Sequence, residues 1–201
     1  MRSLVKGDAE IDILSIVRGL PSYGDMIEDV FGKYDKYAVS LSPEEIIGVR
    51  NREEAISEYE PGELEAVFAH RLSYFGEVTV PAPAWCVIVD LCDQNDKEPI
   101  PLDMPDEMYT EIYCDTVSSM EFVKEHRTAK KGMKRKFDMS TPESFSKDWD
   151  AFVNRSRGFR EMTGLRERYI SLRLSELSKG GGRILAVVDC ERTDGVAALL
   201  E

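Results

Sequence analysis

Residues 11–34 read "IDILSIVRGLPSYGDMIEDVFGKY", and this stretch decides the class of fold. Its first part is rich in isoleucine, leucine and valine, which is typical of a strand that helices cover on both faces. Gly19 and Pro21 then indicate a turn. After Ser22 and Tyr23 the apolar residues fall on one face of a helix: Met26, Ile27, Val30 and Phe31. A strand, a turn and an amphipathic helix in this order predict the first half of a βαβ unit.

The same alternation continues along the rest of the chain. Strand patterns occur in "KYAVSLS" (36–42), in "PIPLDMP" (99–105), which ends at Asp103, and in "RILAVVDCE" (183–191). Helix patterns occur after Ser42, in "GELEAVFAHRLSYFG" (62–76), in "AWCVIVDLCDQN" (84–95) and through most of residues 106–180, with a short terminal helix in "TDGVAALLE" (193–201). We therefore predict one α/β domain over residues 1–201, with a mostly parallel sheet flanked by helices. A long helical insertion at 106–180 separates the central strand from the last strand.

The 201 residues carry a formal net charge of −12, and this charge is unevenly distributed. Residues 124–173 hold 14 Lys and Arg against 7 Asp and Glu, so the rest of the chain has an excess of 19 negative charges. The basic run "RTAKKGMKRKF" (127–137) suggests a nucleic-acid or acidic partner. A solvated helix face, or pairing with the acidic part of the same chain, is the favoured explanation of the run. The negative overall charge and the lack of aromatic residues interleaved with this run disfavour nucleic-acid binding. A nucleic-acid-associated protein that uses the basic helix 127–136 remains the weakest of the functional hypotheses.

The N-terminal sequence and the cysteines exclude several classes of protein. "MRSLVKGDAEIDI" has no continuous apolar region of the kind that a secretory signal needs, and no apolar run approaches the ~18 residues of a membrane span. We therefore expect a cytoplasmic protein with no membrane partner. The four cysteines lack Cys-x-x-Cys spacing and a nearby histidine, which argues against a zinc knuckle or a thioredoxin motif: Cys86, Cys92, Cys114 and Cys190. We expect buried, reduced thiols, and the sequence alone does not decide whether two of them form a disulfide.

Three segments of the second half resemble the TraB/Tiki-like superfamily, which includes pheromone-shutdown proteins and, more distantly, erythromycin esterase-like enzymes. They are "IPLDMP" (100–105), "GLRERYISLRL" (164–174) and "RILAVVDCERTDGVAALL" (183–200). The resemblance places Asp103 at the aspartate that ends the family's central strand, and Glu167 and Arg168 at its Glu-Arg helix signature. It implies an α/β fold and a hydrolase whose metal is held by histidines after the first and last strands and by a glutamate of the second strand.

The residues that would hold this metal are replaced here. Ser22 stands at the first histidine position, Ser40 at the glutamate and Arg192 at the second histidine. Serine is a poor neutral ligand, and arginine keeps its proton in proteins. At an effective dielectric of about 20, a dication ~4 Å from Arg192 would be opposed by roughly 8 kcal/mol. We therefore expect no metal and no cofactor.

The polar residues left at the strand ends and on the neighbouring helices predict a ligand-binding cleft. Its predicted members are Arg18, Ser22, Ser40, Asp103, Glu167, Arg168, Asp189 and Arg192. Asp103 and Asp189 stand where open α/β sheets place their ligands, and they are predicted to pair with the arginines, although caps or turns use aspartate in the same way. Such arginines suit a small anionic or zwitterionic ligand through bidentate contacts.

The sequence leaves the kind of function open. A binding or interaction protein, with the helices near 108–120 covering a second copy in a homodimer, is one hypothesis. A hydrolase without the family metal, using Asp103 or Glu167 as general base and the arginines as oxyanion stabilisers, is another. A serine nucleophile is disfavoured because the two histidines, His70 and His126, lie in helical segments away from the strand ends.

Overall fold

The computed structural model describes the backbone of residues 1–201 and all side chains except those of residues 55, 57 and 58. It contains five strands: β1 (Arg2–Lys6), β2 (Ala9–Ile16), β3 (Lys36–Val39), β4 (Ile100–Pro101) and β5 (Gly182–Asp189). It contains ten helices: α1 (Ser22–Glu28), α2 (Pro43–Arg50), α3 (Arg52–Glu58), α4 (Glu63–Leu72), α5 (Pro83–Gln94), α6 (Asp106–Thr116), α7 (Ser119–Lys134), α8 (Pro142–Val153), α9 (Arg157–Ser178) and α10 (Cys190–Leu200). The predicted α/β class is confirmed.

The strands form one sheet in the order β1-β2-β5-β3-β4. β1 runs antiparallel to β2, and the remaining neighbours are parallel. The last strand in sequence therefore lies in the middle of the sheet, where Ile16 pairs with Asp189 and Val39 pairs with Val187. This register brings the ends of β2, β3 and β5 to the same edge.

Helices cover both faces of the sheet, as the nearly continuous apolar strands require. One face packs against α1, α2, α4, α5 and α8 through residues such as Ile27, Val49, Ile88 and Phe145. The other face packs against α9 and α10 through Ile170, Leu174, Val196 and Ala197. Of the helices between β4 and β5, α8 lies on the first face and α9, which directly precedes β5, lies on the second.

Several element boundaries differ from those that the sequence predicts. β1 was not predicted, since its short alternating pattern is that of an edge strand. The stretch after Asn51, for which no element was predicted, contains α3, and α10 begins at Cys190 rather than near Thr193. The long helical stretch from Asp106 divides into α6 and α7, because the Ser118 side chain caps the backbone N–H of Glu121 and Glu121 caps Ser118 in return.

Within the described residues, no helix combines the length and the apolar character that crossing a bilayer requires.

Candidate functional site

A cavity of about 630 Å³ lies at the carboxyl edge of the sheet, beyond the ends of β2, β3 and β5. α2, α4, α5, α8, α9 and α10 contribute to its walls together with residues 78–82. Crevices at this edge are where open α/β sheets bind ligands. The cavity is therefore the first candidate for a functional site.

The turn after β2 places Arg18 at the cavity. Gly19 has a φ of +98°, and a Cβ atom there would lie 2.7 Å from Cγ1 of Val78. The backbone oxygen of Gly19 accepts a hydrogen bond from the N–H of Thr79 at 3.0 Å. Only glycine combines this backbone conformation with so close an approach. The turn is thus held against residues 78–79, and Arg18 is directed toward the end of β5.

Arg18 and Asp189 form the central ion pair of the cavity. Nε and Nη2 of Arg18 donate to the two carboxylate oxygens of Asp189 at 2.8 and 2.7 Å. Burial disfavours the charged guanidinium, but Asp189 outweighs this effect and raises the pKa of Arg18 well above its usual value. The backbone N–H of Asp189 donates to Oγ of Ser40 at 3.3 Å. Ser40 is buried and supports the end of β5, and it does not line the cavity.

Asp103 pairs with Arg166 and not with Arg168. Nε of Arg166 lies 3.1 Å from Oδ2 of Asp103, and the backbone N–H of Met104 donates to Oδ1 at 2.8 Å. Arg166 precedes the buried residues Ile170 and Leu174 by one and two helical turns, so it shares their face of α9. Arg168 is exposed on the other side. The predicted place of Arg168 in the cleft is therefore wrong, and helical phase identifies Arg166 instead.

Arg192, the residue at the second histidine position of the resemblance, is a buried structural cation. It contacts the carboxylate of Asp150 on α8, and its Nη1 lies 3.4 Å from Oε1 of Glu167 on α9. Arg192 thus connects α8, α9 and α10, and both Arg192 and Asp150 line the cavity. Glu167 itself does not line the cavity, and neither does Asp103.

Glu191 is the carboxyl group that sequence reasoning missed. It occupies the first turn of α10, is half-buried and lines the cavity beside Asp189. Burial and the nearby Asp189 raise its pKa to about 7, although Arg18 acts in the opposite direction. The signal for it was its place directly after the strand end, between Asp189 and Arg192.

Ser22 does not belong to the cavity. It begins α1, its side chain is exposed, and it is absent from the residues that line the site. The turn that precedes it contributes Arg18 and Gly19 to the site instead. Among the described side chains, no group of three or more His, Cys, Asp or Glu is arranged to hold a metal ion.

The walls of the cavity are mainly apolar and aromatic. Its apolar lining includes Leu41, Val49, Leu64, Phe68, Val78, Val80, Trp85, Trp149 and Val153. Both tryptophans of the chain are in this set. Trp85 lies beneath Arg18, whose Cζ is 5.9 Å from the ring centroid, and Trp149 packs against Phe68 and Phe137. The arrangement of apolar walls around a few charged groups is the usual composition of a small-molecule site.

The basic run lies outside the cavity, mostly on α7. Arg127, Lys130, Lys131 and Lys134 are exposed, and none of them forms an ion pair in the described part of the chain. Arg135 behaves differently, since it pairs with Asp148 and its Cζ lies 5.2 Å from the ring centroid of Phe137.

The four cysteines are free thiols. Cys92 and Cys190 are buried, Cys86 is half-buried and Cys114 is exposed, so the expected burial is wrong for Cys114.

Comparisons of the chain with protein-family models, with curated proteins and with solved structures find no match.

Proposed function

We propose that this protein binds a small molecule in the cavity at the carboxyl edge of its sheet, as a TraB/Tiki-like domain that lacks the metal chemistry of that family. The observation that carries the proposal is the cavity itself. Its volume of about 630 Å³ falls within the ~300–1,000 Å³ of typical ligand sites. Apolar walls supply affinity for the body of a ligand, and the charged groups at the strand ends supply orientation.

The arginines support this proposal less directly than the sequence suggested. An anionic ligand would bind to Arg18 and Arg192, but Asp189 already binds Arg18, and Asp150 and Glu167 bind Arg192. An anion would have to compete with these internal carboxylates. The anionic ligand stays a prediction, and the apolar walls are the stronger support for binding.

The two tryptophans give a direct test, because both line the cavity. A neutral probe, 4-phenylbutan-1-ol, is titrated into the protein while tryptophan fluorescence and heat of binding are measured. We expect a saturable change in fluorescence with a stoichiometry of one.

A cavity-filling variant locates the probe. A Cβ atom at Gly48, which lines the cavity, meets no atom within 4 Å, so Gly48→Leu has room and reduces the space. We expect it to weaken probe binding by about tenfold or more, since ~1.4 kcal/mol corresponds to tenfold. The matched control is Gly164→Leu on α9, which also meets no atom within 4 Å and lies outside the cavity. Equal binding by all three proteins would contradict the proposed site.

A second candidate function is general acid–base catalysis in the same cavity. The observation that favours it is the pKa of about 7 at Glu191, beside a second carboxylate, Asp189. This changes the identity of the predicted base, since Asp103 and Glu167 do not reach the cavity. A panel of p-nitrophenyl carboxylate and phosphate esters tests it. Turnover that is lost in Glu191→Gln supports an enzyme, and turnover that the variant retains excludes Glu191 as its base.

A further inference from the structure

The charged groups that line the cavity or contact its lining contain more carboxyl groups than arginines. The cluster contains three arginines, which are Arg18, Arg166 and Arg192. Six carboxyl groups contact them or lie beside them, which are Glu45, Asp103, Asp150, Glu167, Asp189 and Glu191. Every guanidinium of the cluster therefore has a carboxylate partner already, and the surplus charge is negative.

Glu191 is the acid of this cluster that lacks a cation. Within the described residues it forms no ion pair; its carboxylate accepts a weak hydrogen bond from the Cys190 thiol at 3.3 Å and a further one from its own backbone N–H. Arg18 influences it from beyond ion-pair distance, while Asp189 repels its charge. A half-buried carboxylate in this position is costly to ionise unless a cation joins it. The cavity therefore offers an incomplete ion pair.

Aromatic groups lie in the same space. Trp85, Trp149 and Tyr59 line the cavity, and aromatic faces attract cations through their ring quadrupole. Trp85 is 3% exposed, and its Nε1–H has no hydrogen-bond acceptor in the described part of the chain. An acceptor atom in the body of a ligand would satisfy this donor, whereas an ammonium group, which only donates, would contact the ring faces instead.

We propose that the cavity binds an organic ammonium ion with an apolar body, its ammonium against the carboxylate of Glu191 and its body against the walls that contain Trp85 and Trp149. This inference rests on the proposed function, since it names the ligand class of the same cavity. An organic cation fits better than a metal ion, because Asp103, Asp150 and Asp189 are each engaged by a guanidinium and the remaining lining is apolar.

The test uses three probes that share one apolar body: 4-phenylbutan-1-amine, 4-phenylbutan-1-ol and 4-phenylbutanoate. Near pH 8 they are respectively a cation, a neutral molecule and an anion. Binding to the full chain is measured by tryptophan fluorescence and calorimetry. We expect the amine to bind about tenfold more tightly than the alcohol and the carboxylate to bind most weakly, an order set by one desolvated charge pair.

Glu191→Gln identifies the carboxylate. We expect it to reduce the affinity for the amine by about tenfold, to the level of the alcohol, and to leave the alcohol unchanged. The control is Asp194→Asn, which removes a charge from the same helix at an exposed position outside the cavity. It should leave the affinities for all three probes unchanged.

The outcomes separate the two proposals. Failure of all three probes to bind overturns the proposed function. Equal binding of the three, or an amine affinity that survives Glu191→Gln, overturns the ammonium assignment and leaves the small-molecule site in place. Tighter binding of 4-phenylbutanoate than of the amine also overturns the ammonium assignment, and it supports the anionic ligand predicted from the sequence.

A measurement on the unaltered protein does not depend on the folding of a variant. The groups that face Glu191 are Arg18, Asp189 and Cys190. Because Glu191 loses its proton with a pKa of about 7, the affinity for the amine should increase from about pH 6 to pH 8, while that for the alcohol should stay constant. An amine affinity that falls as the pH rises over this range, or an alcohol affinity that rises with it, overturns the assignment.

Discussion

At the scale of single residues, Arg166 stabilises the fold through its ion pair with the buried Asp103, whereas the exposed Arg168 has no such role. Asp103 is 4% exposed, so removal of its partner leaves a buried carboxylate without a cation. We expect Arg166→Met to lower the free energy of unfolding by roughly 2–4 kcal/mol. Chemical denaturation at neutral pH measures this loss.

Arg168→Met is the matched control, since it removes the same charge two residues along the same helix. Its effect should stay within about 0.5 kcal/mol, as is usual for an exposed site. Equal effects of the two variants would show that the Asp103 carboxylate does not depend on Arg166.

Glu191 makes the stability of the protein depend on pH in an unusual direction. Its pKa rises from 4.5 to about 7 on folding, so over this interval the unfolded chain releases the proton more readily than the folded one. The contribution of Glu191 to stability is therefore most favourable at low pH and falls as the pH rises through about 7.

Glu191→Gln removes this dependence. Between about pH 5 and pH 8, we expect the unaltered protein to lose roughly 1–3 kcal/mol relative to the variant. Urea denaturation of both proteins over this range gives the difference. A difference that is constant with pH would mean that Glu191 titrates normally.

The candidate site shows what sequence reasoning reaches at this scale. Asp103, Asp189, Arg18 and Arg192 were predicted from strand ends and from the resemblance, and all four take part in the charged cluster. Their pairings were not determined, because the choice between Arg166 and Arg168 depends on the rotation of α9 about its axis. Glu191 was missed because its raised pKa comes from burial, and burial is a property of the folded chain.

At the scale of elements, the contact of α7 with α8 depends on a glycine. A Cβ atom at Gly132 would lie 2.7 Å from the Trp149 ring, which is held among Phe68, Phe137 and Phe152. We expect Gly132→Ala to destabilise the protein by about 1–3 kcal/mol, because the ring would have to shift and lose its contacts with these aromatic neighbours. Thermal unfolding followed by circular dichroism measures this loss.

Gly164→Ala is the control for helix propensity. The added Cβ meets no atom within 4 Å, so the substitution should stabilise the protein by about 0.5–1 kcal/mol. If Gly132→Ala were also stabilising, the two helices would pack less closely than the structure shows.

The elements that the sequence predicts best are those with a strong local signal. Ser42, after which the sequence predicts a helix, caps α2, because side-chain capping is a short-range interaction. The order of the strands was not predicted, since it depends on contacts between β5 and residues more than a hundred positions earlier. The break between α6 and α7 was missed because helix patterns continue on both sides of it.

At the scale of the whole molecule, the exposed cations of α7 are expected to be insufficient for nucleic-acid binding. The net charge of −12 opposes the approach of a polyanion. A labelled DNA duplex should show no change in fluorescence anisotropy at about 0.15 M salt. Binding that falls with salt, and that Lys130→Glu with Lys134→Glu abolishes, would contradict this expectation.

The predicted homodimer has a candidate surface on the same helix. Met120, Phe122 and Val123 are 64%, 61% and 68% exposed, and a second copy of the chain would cover them. Light scattering after gel filtration should give twice the monomer mass, and Val123→Glu should halve it. Leu172→Glu changes an equally exposed apolar residue of α9 and should leave the mass unchanged. A monomer at all concentrations would exclude this dimer.

The central position of β5 affects how the chain is made. β2 and β3 each pair with β5 and not with one another, so their inner edges have no partner until residues 182–189 are synthesised. At a translation rate of about 5–20 residues per second, those edges remain unpaired for roughly 10–30 s during synthesis. Unpaired apolar strand edges associate readily with other chains. Early collapse around β2 and β3 would protect these edges, and the cavity at the end of β5 is the last part of the molecule to form.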